Sequence, residues 1–316
     1  MTAILGCFLA CFAAHALAQG FPSKPLRIVV PFPGGVADTL SRLIAPRMGD
    51  ALGQPVLVEN KPGGSGQIGA LEVIRAPADG HAIFLGHIGT HAVNPHVFAK
   101  LNYDPDDLRP VTLLITMPNL LVVHPSVPAI NVRELVAHAR ANPGRLSYAS
   151  PGSGSSGHLA AELLKSIASL DMVHVPYKGA APALQDLIGG QVQVLFDTLA
   201  QALPQAKAGK VRALAVATLQ RQAVAPEVAT MDEQGFPGWE TGPWFGFFLR
   251  AGTPEPVAGR IRQEAVKALL AAEVRDRLTA QGANVVGNSP AEFGAFIRGE
   301  YARWGKVVHE AGIRAD

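Results

Sequence analysis

Residues 26–38 read LRIVVPFPGGVAD, and this stretch decides the class of fold. Leu26 to Val30 is a short run rich in apolar and β-branched residues, which is typical of a strand, and the Pro/Gly segment after it is a turn. Asp38 is predicted as the N-cap of the next helix, whose apolar stripe includes Leu40 and Ile44. A strand, a tight turn and a helix in this order indicate a parallel α/β unit.

The same order of elements recurs along the chain and restarts near residue 146. Further strands are predicted at Val56–Glu59, Ala82–Leu85, Leu146–Ala149, Met172–Val175, Val192–Phe196 and Val211–Val216. Helical patterns lie between most of these strands, and the strand Leu146–Ala149 runs into a second turn of small residues, Ser150–Gly157. Two successive α/β units predict two domains, each a mostly parallel sheet flanked by helices.

Two apolar stretches connect the units. Val111–Val123 and Trp244–Leu249 are predicted as strands that cross between the domains and act as a hinge, so that the chain leaves the first domain and returns to it. Domain 1 is therefore expected to contain residues 20–120 and 242–316, and domain 2 residues 121–241. The segment from Ser289 to Glu292 has the pattern of a capping box and predicts the start of a final helix that packs on domain 1.

Composition excludes several classes of protein. The chain has 316 residues, 16% of them charged, with a formal net charge of +2. Its basic residues form no stripe, so nucleic acid is not an expected partner. Residues 1–18 carry no charge and end in Ala16-Leu17-Ala18, the pattern of a cleaved signal for export to the periplasm. Cys7 and Cys11 lie inside this signal, so the mature chain would contain no disulfide, thiol nucleophile or cysteine-ligated metal.

The turns after the two leading strands carry the functional signal. Residues 31–38 and 150–157 are rich in small residues and contain neither Lys nor Arg. Each turn opens a helix, whose first N–H groups have no partner within the helix and whose dipole attracts an anion. Two such helix ends facing each other across a cleft could bind a carboxylate through backbone donors alone. This arrangement favours a binding protein over an enzyme.

Other motifs give weaker signals. Gly64–Gly69 matches the dinucleotide fingerprint, but Asp79 precedes the next strand rather than ending it, so no NAD or other cofactor is expected. Four histidines lie close together in the sequence, at His81, His87, His91 and His96. His87 and His91 would share a helical face, but no carboxylate accompanies them in a zinc pattern, and no metal site is expected. A hydrolase that uses the loop from Ser150 to His158 stays an alternative, although this loop lacks a nucleophile elbow.

An ordered series of segments resembles one known family across nearly the whole mature chain. The segments are Pro31–Asp38, Val56–Gly63, Asn94-Pro95, Tyr103–Pro105, Tyr148–Leu159, Pro176–Gly179, Arg212–Val216, Glu233–Pro237 and Gly252–Pro254. Together they resemble the solute-binding proteins of tripartite tricarboxylate transporters, also called the Bug family. The first loop is one residue shorter than the usual pattern of that family, with a single Pro33 before Gly34-Gly35.

The resemblance implies a type II periplasmic binding fold whose two domains close over a small carboxylated ligand. It places the ligand carboxylate on three loops, at Phe32, Pro33, Gly34, Gly35 and Asp38, at Gly89 and Thr90, and at Ser150, Gly154 and Ser155. Tyr177 and Asp197 would line the far side of the cleft. Such a protein is a monomer that catalyses nothing and delivers its ligand to the permease subunits of a membrane transporter. A dicarboxylate, an amino acid or an aromatic acid all remain open as ligands, and a sensory receptor would show the same features.

Overall fold

The computed structural model describes residues 20–314, and within them two separate β-sheets each pack against helices. The predicted signal and both cysteines lie outside the described residues. The first sheet has six strands in the order β11-β4-β10-β3-β1-β2. Its strands are β1 (Leu26–Val30), β2 (Val56–Asn60), β3 (Ala82–His87), β4 (Leu108–Thr116), β10 (Trp244–Arg250) and β11 (Asn284–Val285).

The second sheet has five strands in the order β7-β6-β8-β5-β9. Its strands are β5 (Asn119–Val123), β6 (Ser147–Ser150), β7 (Val173–Pro176), β8 (Val194–Thr198) and β9 (Arg212–Val216). In both sheets a parallel set adjoins antiparallel strands: β1 pairs in parallel with β2 and β3, and β6 with β7 and β8. Strands β10 and β5 run against their neighbours.

Helices connect the strands and cover the sheets. They are α1 (Gly35–Leu52), α2 (Gln67–Ile74), α3 (Asn94–Val97), α4 (Val132–Ala141), α5 (Ser156–Ala168), α6 (Ala180–Ile188), α7 (Leu199–Lys207), α8 (Glu255–Leu270), α9 (Ala272–Thr279) and α10 (Pro290–Glu310). Short helical turns occur at Gly64–Gly66, Gly89–Val93 and Pro105–Asp107. Among residues 20–314, no helix is both long enough and apolar enough to cross a membrane.

The ends of these helices test the predicted caps. The capping box at Ser289 is confirmed, because its hydroxyl accepts from the N–H of Glu292 while the Glu292 carboxylate accepts from the N–H of Ser289. The prediction that Asp38 caps the first helix is wrong. Helix α1 begins four residues earlier, with Gly34 as its N-cap at a φ of 69°. Glycine adopts a positive φ without strain. Because the helix begins at Gly35, Asp38 lies inside it.

The passage between the sheets is shorter than predicted. The stretch Val111–Val123 is not one crossing strand, since β4 ends at Thr116 in the first sheet and β5 starts at Asn119 in the second. Pro118 lies at the break and has no N–H to continue a ladder. Trp244–Leu249 does not cross either, because β10 lies wholly in the first sheet.

The crossing is made by two short segments that run side by side. The N–H of Met117 donates to the carbonyl of Pro243 at 2.9 Å, and the N–H of Asn119 donates to the carbonyl of Thr241 at 3.0 Å. The chain thus leaves the first sheet and returns to it at one place. The exact domain boundaries, near residues 120 and 241, stay a prediction.

Candidate ligand-binding cleft

The carboxyl ends of the parallel strands of both sheets meet at one cleft. The turn after β1 and the turn Gly64–Gly66 belong to the first sheet, and the turn after β6 belongs to the second. The hydroxyl of Ser65 donates to the carbonyl of Ser153 at 3.2 Å, which joins the two sides. A Cβ atom added to Gly154 would lie 3.5 Å from a methyl group of Val93. The loop after β6 therefore contacts the first domain at Ser65 and Val93.

The loop after β1 is held by a polar cluster behind it. The carboxylate of Asp38 accepts two hydrogen bonds from Arg42, at 2.8 and 3.0 Å, and one from the side-chain amide of Asn60, at 2.9 Å. These donors, chiefly Arg42, lower the pKa of Asp38. The amide of Asn60 also lies 3.4 Å from the carbonyl of Phe32. Asp38 therefore shapes the loop through Asn60 and is neutralised by Arg42.

The first loop also approaches the second sheet. Phe32 is partly buried, whereas Pro33, Gly34 and Gly35 are exposed. A Cβ atom added to Gly35 would lie 3.4 Å from the amide nitrogen of Gln201 in α7. The N-terminus of α1 therefore faces the first turns of α7, a helix of the opposite sheet.

Gly89 and Thr90 lie in a tight turn with internal partners. The N–H of Gly89 donates to Nδ1 of His87 at 3.0 Å, and the Thr90 hydroxyl donates to the carbonyl of His87 at 3.0 Å. The carbonyl of Thr90 accepts from the buried hydroxyl of Tyr103 at 2.6 Å. The Thr90 side chain is fully buried. These hydrogen bonds hold the turn in place, and its role in ligand binding stays a prediction.

The loop after β6 starts a helix as predicted. Ser155 is the N-cap of α5, and its hydroxyl accepts from the N–H of His158 at 3.3 Å. The N–H of Gly154 donates to Nδ1 of His158 at 3.1 Å. Ser150 does not contact His158, and its hydroxyl lies 2.7 Å from Nε2 of His174. In the loop of the hydrolase alternative, the ring of His158 is therefore not paired with the hydroxyl of Ser150 or of Ser155.

Aromatic rings stack behind this loop. The rings of His158 and His174 are 4.1 Å apart and nearly parallel, and Tyr148 stacks on His174 at 4.8 Å. Burial lowers the pKa of His158 to about 3 and that of His174 to about 4. Both rings are neutral at physiological pH. Neutral imidazoles can accept the hydrogen bonds that hold Gly154 in place.

A buried polar group lies where β5 and β8 pair. Asn119 is opposite Thr198 in the ladder, and the Ser156 hydroxyl at the start of α5 is 3.4 Å from Oδ1 of Asn119. Asp197 is 1% exposed, and its Oδ1 accepts from the N–H of Thr198 at 2.7 Å. Within residues 20–314, no hydrogen-bond partner is found for Asn119 Nδ2, Asp197 Oδ2 or Thr198 Oγ1. Free buried polar atoms are costly unless a ligand or water binds them.

The remaining predicted site residue, Tyr177, is partly buried beside the loop after β6. Its N–H donates to the carbonyl of Ser150 at 3.0 Å, and its hydroxyl donates to Asp186 in α6 at 2.6 Å. Burial and the Asp186 carboxylate raise the pKa of Tyr177 to about 12. The phenol is therefore neutral, and its hydroxyl already donates to Asp186 in α6.

Several residues of the cleft were not predicted. Ser65 was considered only as part of a glycine motif, and Asn119 and Thr198 lie at strand ends without a local signature. Helix α7, with Thr198 as its N-cap, adds a third helix N-terminus to those of α1 and α5. The small residues that mark the first two turns are absent before α7, so the sequence does not indicate this third helix N-terminus. Only the pairing of β5 with β8 shows where it lies.

The four histidines of the sequence cluster lie in different elements of the structure. His81 precedes β3, His87 ends it, and His91 stacks on Phe248 with ring centroids 3.7 Å apart. The prediction that His87 and His91 share a helical face is wrong, because His87 belongs to the strand. No group of three His, Cys, Asp or Glu side chains in the described part of the chain is placed to hold a metal ion.

Two α/β domains around a cleft of helix N-termini define a solute-binding protein of the type II periplasmic class. Residues 40–313 match the model of the TctC family, described as the tripartite tricarboxylate transporter family receptor. The chain belongs to this family. It is 38% identical to a UPF0065 protein from the tcbD-tcbE intergenic region of Pseudomonas sp. strain P51, over 99% of this chain and 95% of that one.

Solved structures agree with this assignment. Rpa4515 of R. palustris, determined with adipate, is 38% identical and superposes with a TM-score of 0.88, covering 93% of this chain and 99% of its own. MatC of Rhodopseudomonas palustris, determined with malate, is also 38% identical, with a TM-score of 0.85, covering 91% of this chain and 100% of its own. The two-domain fold is thereby confirmed. Members of this family are binding proteins and not enzymes, as the loops without a catalytic constellation predicted.

Proposed function

We propose that this protein captures a small carboxylic acid in the cleft between its two sheets and delivers it to the permease subunits of a tripartite tricarboxylate-type transporter. One observation carries the proposal. The N-termini of α1, α5 and α7 converge on a cleft where Asn119 and Thr198 keep buried polar atoms free of partners in the described chain. Helix N-termini offer N–H donors and a favourable dipole to an anion.

The proposed site combines the loops predicted from the sequence with the polar group of the second sheet. Free backbone N–H groups at the starts of α1 and α5, beside residues 32–35 and 150–155, would bind the main carboxylate, with Gly89, Thr90, Tyr177 and Asp197 around it. The adipate and malate of the two solved relatives support a small dicarboxylate as the ligand class. Binding without a buried Lys or Arg leaves no unpaired cation in the empty cleft, which favours release.

Calorimetric titration tests the ligand class. Adipate, malate, succinate, glutamate and benzoate would be titrated into the purified mature protein, and melting would be recorded with each. We expect at least one dicarboxylate to bind, and a ligand at about 100 times its Kd should add about 2.7 kcal/mol to the free energy of unfolding. Because glutamate carries an ammonium group besides its two carboxylates, a response to glutamate alone would assign the site to amino acids. A response to benzoate alone would assign it to aromatic acids, and a response to none would refute the proposal.

Replacing Thr198 with Val separates binding from stability. The Thr198 hydroxyl has no partner among the described residues, so its removal should not lower the melting temperature of the empty protein. If this hydroxyl binds the ligand, affinity should fall about 5- to 10-fold.

Thr253→Val is the matched control for Thr198→Val. The Thr253 hydroxyl donates to the carbonyl of Arg250 at 2.7 Å, at the start of α8 and outside the cleft. This variant should lose stability and keep its affinity. The same affinity in Thr198→Val and in the unchanged protein would remove Thr198 from the site.

The cellular part of the proposal rests on the leader and the family. Residues 1–18 are expected to be cleaved, so that the periplasmic protein begins at Gln19 and is a monomer with domains 20–120 plus 242–316 and 121–241. N-terminal sequencing and sedimentation would check these points. Ligand uptake that requires both this protein and the permease would support transport, and a ligand response without uptake would favour the sensory alternative.

A further inference from the structure

His87 has a buried ring at the cleft edge of the first sheet. It ends β3 beside the turn that follows β1, and its ring meets that of Phe32 edge to face, with centroids 4.8 Å apart. The side chain is 5% exposed. No role was predicted for it from the sequence, where it counted only as part of a cluster of histidines.

The hydrogen bonds around His87 define its tautomer. Nδ1 accepts from the N–H of Gly89 at 3.0 Å, so this nitrogen carries a lone pair. Burial lowers the pKa of His87 to about 3, and the neutral ring must therefore carry its proton on Nε2. His91 would have the other neutral tautomer, with its proton on Nδ1. The Thr90 hydroxyl donates to the carbonyl of His87, and it can accept from Nδ1–H of His91 at 2.8 Å.

The Nε2–H group of His87 is an uncharged donor without an acceptor. No partner for Nε2 occurs between residues 20 and 314. Nε2 is itself buried, and a Cβ atom added to Gly66 would lie 2.8 Å from it, so a side chain at residue 66 would occupy the space beside this nitrogen. Gly66 belongs to the same turn as Ser65, whose hydroxyl reaches the loop of the second sheet. The donor therefore points towards the turn that forms one wall of the cleft.

We propose that Nε2–H of His87 donates a hydrogen bond to a carboxylate oxygen of the bound acid. The inference rests on the proposed function and adds a side-chain donor of the first sheet that is buried, uncharged and, within residues 20–314, without a partner. A neutral imidazole recognises an oxygen acceptor and rejects an ammonium group at the same position, because both would be donors. It also leaves no buried charge behind when the acid departs.

Two substitutions of different chemistry test this donor. His87→Phe keeps the ring size and removes the N–H, and we expect it to weaken the tightest acid of the panel by about 10- to 100-fold, the usual effect of a lost hydrogen bond to a charged group. His87→Gln places an amide N–H near the position of Nε2, and it should restore at least part of this affinity. The control is His81→Phe, because His81 precedes the same strand at its opposite end, about 20 Å away.

Each result supports or overturns the proposal. Weak binding by His87→Phe with recovery in His87→Gln supports a donor, provided that both empty variants melt cooperatively. Equal weakening in the two variants shows a packing role and overturns it, as does unchanged affinity in His87→Phe. An unchanged protein that binds no acid refutes the proposed function as well.

Nitrogen-15 spectra of the histidine rings give an independent readout: Nε2–H of His87 should be seen in the empty protein and shift on titration, and an Nδ1–H tautomer would overturn the inference.

Discussion

Asp197 is a carboxyl group in a place where a charge is poorly tolerated. It is 1% exposed and receives one backbone hydrogen bond, from Thr198, while its second oxygen has no partner in the described chain. Burial raises the pKa of Asp197 to about 7. Near neutral pH the group is therefore divided between its acid and its carboxylate forms. The proposed site thus contains a proton whose presence depends on pH.

Asp197→Asn should reveal this proton in the stability of the protein. The folded state holds the proton up to about pH 7, whereas the unfolded chain releases it near pH 4, so wild-type stability should fall as the pH rises between these values. The variant has no such group. Its free energy of unfolding, relative to wild type, should rise by on the order of 2–4 kcal/mol between pH 4 and pH 7 and stay level above.

Denaturant unfolding of the ligand-free proteins at several pH values gives this measurement for Asp197→Asn. A difference between variant and wild type that does not change with pH would show that Asp197 is not held in its acid form.

Helix α5 depends on two neutral imidazoles at its start. The ring of His158 accepts from Gly154 and stacks on His174, whose Nε2 meets Ser150. Glu162 and Lys165 lie on the next turn and pair with each other at 2.7 Å, and Tyr148 donates to Glu162. Burial is the main reason that the pKa of His158 is low, and the neighbouring His174 ring and the charged Lys165 lower it further. Acid should therefore loosen the loop that opens this helix.

His158→Asn tests this effect, because the Asn Oδ1 atom can replace Nδ1 as the acceptor for Gly154 and does not titrate. A histidine with a lowered folded pKa gives stability that is complete above its unfolded value of 6.5 and is lost as the pH falls towards the folded value. Between pH 7 and pH 5 the variant should lose about 1–2 kcal/mol less than wild type.

Thermal unfolding at pH 7, 6 and 5 would measure the effect of His158→Asn. Parallel losses of stability in variant and wild type would contradict the role of His158. His174 is expected to contribute in the same direction.

The units of strand, turn and helix could be predicted because hydrophobic periodicity is local. The start of α1 could not be predicted. Gly34, at a positive φ, is the N-cap in place of Asp38, whose carboxylate instead accepts a hydrogen bond from Asn60 in β2. The break between β4 and β5 could not be predicted either, because it depends on which sheet supplies the neighbouring strands of each. Strand pairing brings Asn119 and Thr198 together although they are far apart in the sequence, and no sequence pattern near either residue predicts this contact.

The whole molecule is organised around the double crossing between the sheets. Gly242 lies beside Met117 in the returning segment, and a Cβ atom there would overlap the carbonyl oxygen of Met117. Only glycine allows the two segments to approach this closely. The relative position of the two sheets therefore depends on a contact made by backbone alone.

Gly242→Ala should force these segments apart. We expect a loss of roughly 1–3 kcal/mol or more in the free energy of unfolding, as for other overpacked sites, together with weaker ligand binding because the cleft loops lose their alignment. Gly259→Ala is the control, since a Cβ atom added there in exposed α8 meets nothing within 4 Å and alanine favours a helix by about 1 kcal/mol. Denaturation curves of both variants should move in opposite directions. An unchanged curve for Gly242→Ala would mean that the crossing can adjust freely.

The adjacent crossing segments also have a consequence for the architecture of the chain. Because Met117 and Pro243 are hydrogen-bonded neighbours, the segment between them begins and ends at the same point on the first sheet. It is topologically an insertion into a host domain whose β4 and β10 pair with each other directly. Any other domain whose two ends lie equally close together could be grafted at this position without moving β4 away from β10.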